Sequence, residues 1–194
     1  MSQVVFPPGE WHSKDVRVPP LPRSEQSLIQ KLLLRLTRRA AKASSNLNVF
    51  LVFARLGPIF PRYLLFLSHL LMKGRLSRVD KERVILHLAW RLGCRYEWVH
   101  HFHMAAELGL STEQILSMAQ RASTLWDERT RCLVLAADEL LDKAVLTDMT
   151  WAQLRPHLNA DETVELCMLV GHYVMVAMTI NATGIQPEPQ YLEA

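Results

Sequence analysis

Cysteine is scarce in this chain, and so is an excess of charge of either sign. The three cysteines, Cys94, Cys132 and Cys167, stand far apart among 194 residues. An odd, scattered set is not a disulfide framework, and it fits a reducing, cytoplasmic compartment. Lys and Arg total 22 against 19 Asp and Glu, a formal charge of +3. That excess is too small to argue for nucleic acid, and no Zn-type Cys/His spacing or RNA-binding signature is present. Glycine is also sparse, at seven residues, and neither a Gly-rich phosphate loop nor a dinucleotide fingerprint occurs. Long unbroken apolar runs are missing. The window 49–72 is interrupted by Arg55, Pro58, Pro61 and Arg62, and the window 164–180 is short for a bilayer and carries Glu165 and His172. Both read as buried helices of a soluble protein, so no membrane partner is expected. The opening MSQVVFPPGEWHSKD lacks a basic segment followed by an apolar one, so no signal peptide is read.

What is present is a large apolar fraction, 49%, enough for a sizeable core in a chain of about one domain's length. Residues 1–23 hold Pro7, Pro8, Pro19, Pro20 and Pro22. Proline fixes φ and lacks an N–H, so this stretch is read as an extended N-terminal arm. Residues 24–186 are read as one all-α domain, and 187–194 as a C-terminal tail. An amphipathic helix is predicted over 25–44, with Leu28, Leu32 and Leu36 at four-residue spacing, Ile29 and Leu33 beside them, and Lys31, Arg35, Arg38, Arg39 and Lys42 behind. A stripe facing the core or a second subunit is its ordinary meaning; a membrane-surface helix is the alternative. Further helices are expected within 48–74, at 78–92 after the N-cap Ser77, at 95–108, from the capping box Ser111–Gln114 to about Arg121, at 127–143, at 147–155, and from an Asp161 cap to about Ala182. No segment alternates with period two between hairpin turns.

The segment 82–109, ERVILHLAWRLGCRYEWVHHFHMAAELG, places Glu82, Cys94, Glu97 and His101 inside what otherwise reads as buried helix. Ionisable groups are rarely put there without a partner or a task. Glu97 and His101 lie four positions apart on one helix face, where a carboxylate can orient an imidazole and raise its proton affinity, as acid–base chemistry near neutral pH requires. The same spacing also makes ordinary helix-stabilising pairs. Cys94 precedes a helix, a position that favours a thiolate, although a lone cysteine is more often a small buried apolar residue. Glu82 meets His101 only if the two helices pack antiparallel. His100, His101 and His103 point in different directions on a helix, so no metal site is expected. His69, His87 and His172 are read as satisfied core histidines.

The pattern E-x11-C-x2-E-x3-H, followed by Ala105-Ala106 and E-L-G-L-S-x-E-Q-I, resembles the carboxymuconolactone decarboxylase family of the alkylhydroperoxidase D-like superfamily. The likeness continues through Trp126-Asp-Glu-Arg, Ala137-Asp-Glu-Leu and Val170-Gly-His-Tyr173. It implies an alkylhydroperoxidase D-like helical bundle whose subunits associate, hence a homo-oligomer. In the peroxidase branch of that superfamily the motif is E-x11-C-x2-C-x3-H and two thiols cycle through a disulfide. Here Glu97 stands in place of the second thiol, which argues against that cycle. The decarboxylase branch has Glu and His at the positions of Glu97 and His101.

The resemblance therefore implies a cofactor-independent lyase acting on a small molecule, a lactone or unsaturated carboxylic acid from aromatic catabolism. His101 is the expected proton donor, oriented by Glu97, with Glu82 completing the relay. Cys94, Tyr96 and Trp98 are expected to line the pocket, and Arg91 or Arg95, on chemical grounds, to hold a substrate carboxylate. A peroxide-reducing oxidoreductase using Cys94, or a non-catalytic oligomeric relative, are the alternatives.

Overall fold

The computed structural model describes residues 3–12 and 15–192. Its helices are α1 Leu28–Ala40, α2 Asn48–Phe53, α3 Ile59–Met72, α4 Arg78–Arg91, α5 Arg95–Glu107, α6 Thr112–Ser117, α7 Glu128–Lys143, α8 Asp148–Leu154 and α9 Ala160–Thr183, with 3-10 turns at Ala54–Leu56 and Pro189–Tyr191. Among the described residues there is no strand, only an isolated bridge between His12 and Cys94. The chain is all-α, as its patterning predicts.

Local chemistry sets most of the helix starts. Ser27 with Gln30 and Ser111 with Gln114 form reciprocal capping boxes on α1 and α6, and Ser77 caps α4 by accepting from the Asp80 N–H. These bonds satisfy donors that a helix start otherwise leaves open. On α9 the cap is Asn159, in a box with Glu162, and not Asp161. Asp161 sits one residue inside the first turn, where its charge still suits the helix dipole. The helix expected to reach Arg121 stops at Ser117, and the Met118 carbonyl, which a longer helix would use, lies 2.8 Å from Nδ1 of His87.

The leucine stripe of α1 does not face the core. Leu28, Leu32 and Leu36 are 84%, 55% and 49% exposed, whereas Leu34 is fully buried. Helix α1 docks through the turn of its surface that carries Leu34, leaving the regular stripe outside. Helix α9 is the one described helix long and apolar enough to cross a membrane, yet half of its apolar window is buried in the fold. It packs through Leu166, Leu169, Val170, Tyr173, Val176 and Ala177.

Helices α4 and α5 fold back on each other across Gly93, whose φ is +58°. This corner also seats the N-terminal arm. The His12 N–H donates to the Gly93 carbonyl at 2.8 Å, and a Cβ on Gly93 would stand 2.4 Å from the Glu10 carbonyl oxygen. Trp98 Nε1 donates to the Val5 carbonyl at 3.0 Å, and Trp11 packs against Trp98 with ring centres 5.4 Å apart. Further along, Arg17 and Val18 donate to the Thr183 carbonyl. The described part of the arm is thus bonded to the helices along its length. The C-terminal segment also returns to the body, burying Glu188 and Tyr191.

Candidate functional site

The α4–α5 hairpin brings Glu82, in the second turn of α4, opposite His101 in the middle of α5. Glu82 Oε2 and His101 Nδ1 are 2.6 Å apart, and both residues are buried. The edge of Tyr173, from α9, meets the His101 ring with centres 5.2 Å apart. An imidazole bonded at Nδ1 presents Nε2 to a ligand, and the carboxylate partner fixes which tautomer does so.

His101 lines a cavity of about 750 Å³ between α1, α3, α5, α9 and the C-terminal turn. Its walls are mainly aliphatic and aromatic, including Leu64, Leu71, Met104, Val176, Tyr96 and Tyr191. Glu97 and His172 also reach this space. The Glu97 carboxyl meets no nitrogen or oxygen partner, only the Cys94 thiol beside it, and His172 Nε2 has no partner. Burial pushes the Glu97 carboxyl up to about 8, and the neighbouring Cys94 thiol offsets only part of that. Glu97 is therefore a neutral acid, an O–H donor, at neutral pH. Burial, helped by the nearby His101, lowers His172 to about 4, so this ring stays uncharged. Tyr63 stacks on it with centres 5.6 Å apart.

Several expectations need correction. The carboxylate bonded to His101 is Glu82 and not Glu97: sharing a helix face brings Glu97 into the same cavity, but the packed α4 delivers its carboxylate directly to Nδ1. Cys94 does not line the cavity and is fully buried. Its helix-start position does not produce a thiolate, because burial and the nearby Glu97 push the thiol well above its ordinary value. Trp98 is also fully buried, on the arm side of α5, one residue beyond the cavity-facing Glu97. Arg91 pairs with Asp138 and Asp142, and Arg95 lies 5.3 Å over the Phe6 ring. Neither arginine reaches the cavity; Tyr96 does.

The three adjacent histidines diverge, His100 to Glu188 at 2.7 Å, His101 to Glu82 and His103 to the Tyr191 carbonyl at 3.0 Å. Among the described residues no group of three or more His, Cys, Asp or Glu could hold a metal ion. The sequence reading missed Tyr63, His172, Tyr173 and Tyr191 as cavity residues. His172 looked like a satisfied core histidine; it is buried but unsatisfied. The signal available was two ring-bearing polar residues side by side, His172-Tyr173, in an otherwise apolar helix.

Residues 58–139 match the carboxymuconolactone decarboxylase family. No curated protein matches the chain by sequence. Among solved structures, an uncharacterized peroxidase-related protein from Silicibacter sp. TM1040 is 18% identical with a TM-score of 0.75, covering 95% of this chain and 96% of the other. An alkylhydroperoxidase AhpD core protein from Ralstonia eutropha JMP134, also described as uncharacterized and peroxidase-related, is 16% identical with a TM-score of 0.79, covering 93% and 96%. The debrominase Bmp8, in a variant form in complex with 2,3,4-tribromopyrrole, is 14% identical with a TM-score of 0.75, covering 92% and 95%. At such identities these structures share the fold with this chain.

Proposed function

We propose that this chain, whose residues 58–139 match the carboxymuconolactone decarboxylase family and whose fold is like that of an alkylhydroperoxidase AhpD core protein, is a cofactor-independent carboxy-lyase acting on a lactone or unsaturated carboxylic acid, with aromatic catabolism as its setting. The observation that carries this reading is the Glu82–His101 bond at the wall of an apolar cavity. Release of CO2 leaves the bonding electron pair on the substrate, where a conjugated carbonyl takes it up as an enolate. His101 then gives a proton from Nε2 to carbon, Glu82 stabilises the charged ring through Nδ1–H, and His101 recovers its proton from water. Glu97, neutral and with only the Cys94 thiol beside it, donates its O–H to the oxygen on which charge develops. The apolar walls favour loss of a carboxylate over its retention.

The test is CO2 release from a panel of unsaturated acids and lactones. Wild-type protein turns over at least one member, and His101→Gln loses that turnover while keeping its fold. Unchanged turnover in His101→Gln overturns the mechanism.

A peroxide-reducing reading has support from the two neighbours described as peroxidase-related. The site supports it less, because Cys94 is sealed off, its thiol is held protonated, and Glu97 stands where a partner sulfur would be. We also infer a cytoplasmic homo-oligomer with no nucleic-acid or membrane partner. The exposed α1 leucines, and Val164, Met168, Met175 and Met178 along one side of α9, are the surfaces available for self-association. Light scattering coupled to gel filtration reads the subunit number, and a monomer at micromolar concentration removes that inference.

A further inference from the structure

The deep end of the cavity carries polar groups but no spare cation. His101 is matched by Glu82, Glu97 is buried there with only the Cys94 thiol beside it, and His172 Nε2 has no partner. Tyr63 and Tyr173 pack against these rings. The two cationic side chains on the lining besides the histidines, Lys42 and Arg78, both belong to exposed residues. Lys42 already faces Glu107 at 3.8 Å. The three arginines within the motif, Arg83, Arg91 and Arg95, are engaged elsewhere. A compact lactone bearing two or three carboxylates would find no unpaired buried cation here, since each buried carboxylate needs its own donor or counter-ion. A cavity of about 750 Å³ lies within the range of sites that enclose ligands much larger than a six-carbon acid.

We propose that the substrate is an extended, mainly apolar carbonyl compound with one carboxylate at most, its oxygen-bearing end lodged among His101, Glu97 and His172 and its apolar body along the wall formed by α1 and α3. His172 is the specificity residue: its unpartnered Nε2 supplies the hydrogen bond that separates an oxygenated ligand end from plain hydrocarbon. This inference rests on the reading of the same site as an acid–base centre, but it concerns what the cavity admits, and binding alone tests it.

The experiment is titration calorimetry on His101→Gln, in which turnover is blocked, and on wild type. The probes are trans-2-butenoate, trans-2-octenoate, trans-2-dodecenoate and the dicarboxylate cis,cis-muconate. Each buried methylene tightens binding by up to about fourfold, so dodecenoate should bind at least ~10-fold more tightly than octenoate. Muconate should bind at least ~10-fold more weakly than dodecenoate. His172→Leu should weaken dodecenoate by roughly 10-fold, and His172→Gln, which keeps a donor and an acceptor, should restore most of it. Muconate binding as tightly as dodecenoate, affinity independent of chain length, no binding by any of the acids, or an unaltered affinity in His172→Leu each overturn the proposal. If the size dependence appears while lactones and unsaturated acids that carry a second, conjugated carbonyl release no CO2, the ligand class stands and the lyase reading falls; CO2 release confined to the dicarboxylates among them does the reverse.

Discussion

Glu82 and His101 are nineteen positions apart in the chain and 2.6 Å apart in space. The contact exists because Gly93 turns α4 back onto α5, and it gives the imidazole a fixed tautomer and a fixed aim. Glu82→Gln keeps the shape of the side chain but removes the charge that stabilises the imidazolium. The expected result is a fall in kcat of about 100-fold or more, with a smaller change in KM. Steady-state kinetics on whichever acid the screen identifies measures both. A raised KM with kcat unchanged would assign Glu82 to binding instead.

Glu97 links stability to pH. Its carboxyl titrates near 8 in the fold against roughly 4.3 in an unfolded chain. The native state thus holds a proton that the unfolded state has released, and stability is full below the unfolded value and falls as pH rises toward 8. The slope is about 1.4 kcal/mol per pH unit in that window. His172 has the opposite sign, titrating near 4, and destabilises the fold as pH drops below roughly 6.5. Comparison with Glu97→Gln separates the Glu97 effect from that of the histidines between pH 6.5 and 8. Urea unfolding should show wild type losing about 1.5 kcal/mol relative to Glu97→Gln across that interval, since buried His87 and His172, both lowered to about 4, act alike in the two proteins. Parallel profiles for wild type and Glu97→Gln would mean that Glu97 is ionised at neutral pH.

The three thiols should separate by accessibility. Cys167 is exposed, Cys132 is intermediate and Cys94 is buried. Reaction with an aromatic disulfide reagent in native buffer should modify Cys167 first and Cys132 more slowly, with Cys94 reacting only after denaturant is added. Rapid labelling of Cys94 in the native state would reopen the peroxide-reducing reading. Cys94→Ala should lower stability by roughly 1 kcal/mol and leave CO2 release within about twofold of wild type.

Glu188 holds the C-terminal segment against the cavity. It accepts from Tyr96 Oη at 3.0 Å, pairs with His100 at 2.7 Å and accepts from the Asn48 N–H. Burial favours its neutral form, but the hydrogen bond and charge of His100 outweigh that and hold Glu188 below its ordinary value. Glu188→Ala leaves those groups without a partner and should cost about 3 kcal/mol. Because Tyr191 follows three residues later and forms part of the cavity wall, KM should rise as well. Thermal unfolding and kinetics together check this; an unchanged melting temperature would show that the segment is held by other contacts.

The helices were legible wherever local chemistry sets them. Ser77, Ser111 and the turn at Gly93 could be read directly, since caps and breaks depend on neighbours in sequence. The core motif was legible too, because Glu82, Glu97 and His101 are unusual residues for their setting. Direction was harder to read. Which carboxylate reaches His101 depends on how α4 packs against α5, and spacing within α5 alone favoured the wrong partner. The leucine stripe of α1 was clear, but a stripe does not state what it faces. Arg91 and Arg95 looked free until Asp138, Asp142 and Phe6 were placed beside them by contacts distant in sequence. His172 was misjudged for the same reason: burial can be foreseen from an apolar helix, whereas a missing hydrogen-bond partner cannot.

The arm bonded across the α4–α5 corner has a consequence for signalling. Residues 5–12 lie over the turn that leads into Cys94, and His12 bonds to the residue just before it. An oxidant dissolved in the surrounding water meets folded backbone before it meets that sulfur. Redox control through this position would first have to peel the leading strand of chain away, at the cost of its bonds to Gly93 and Trp98.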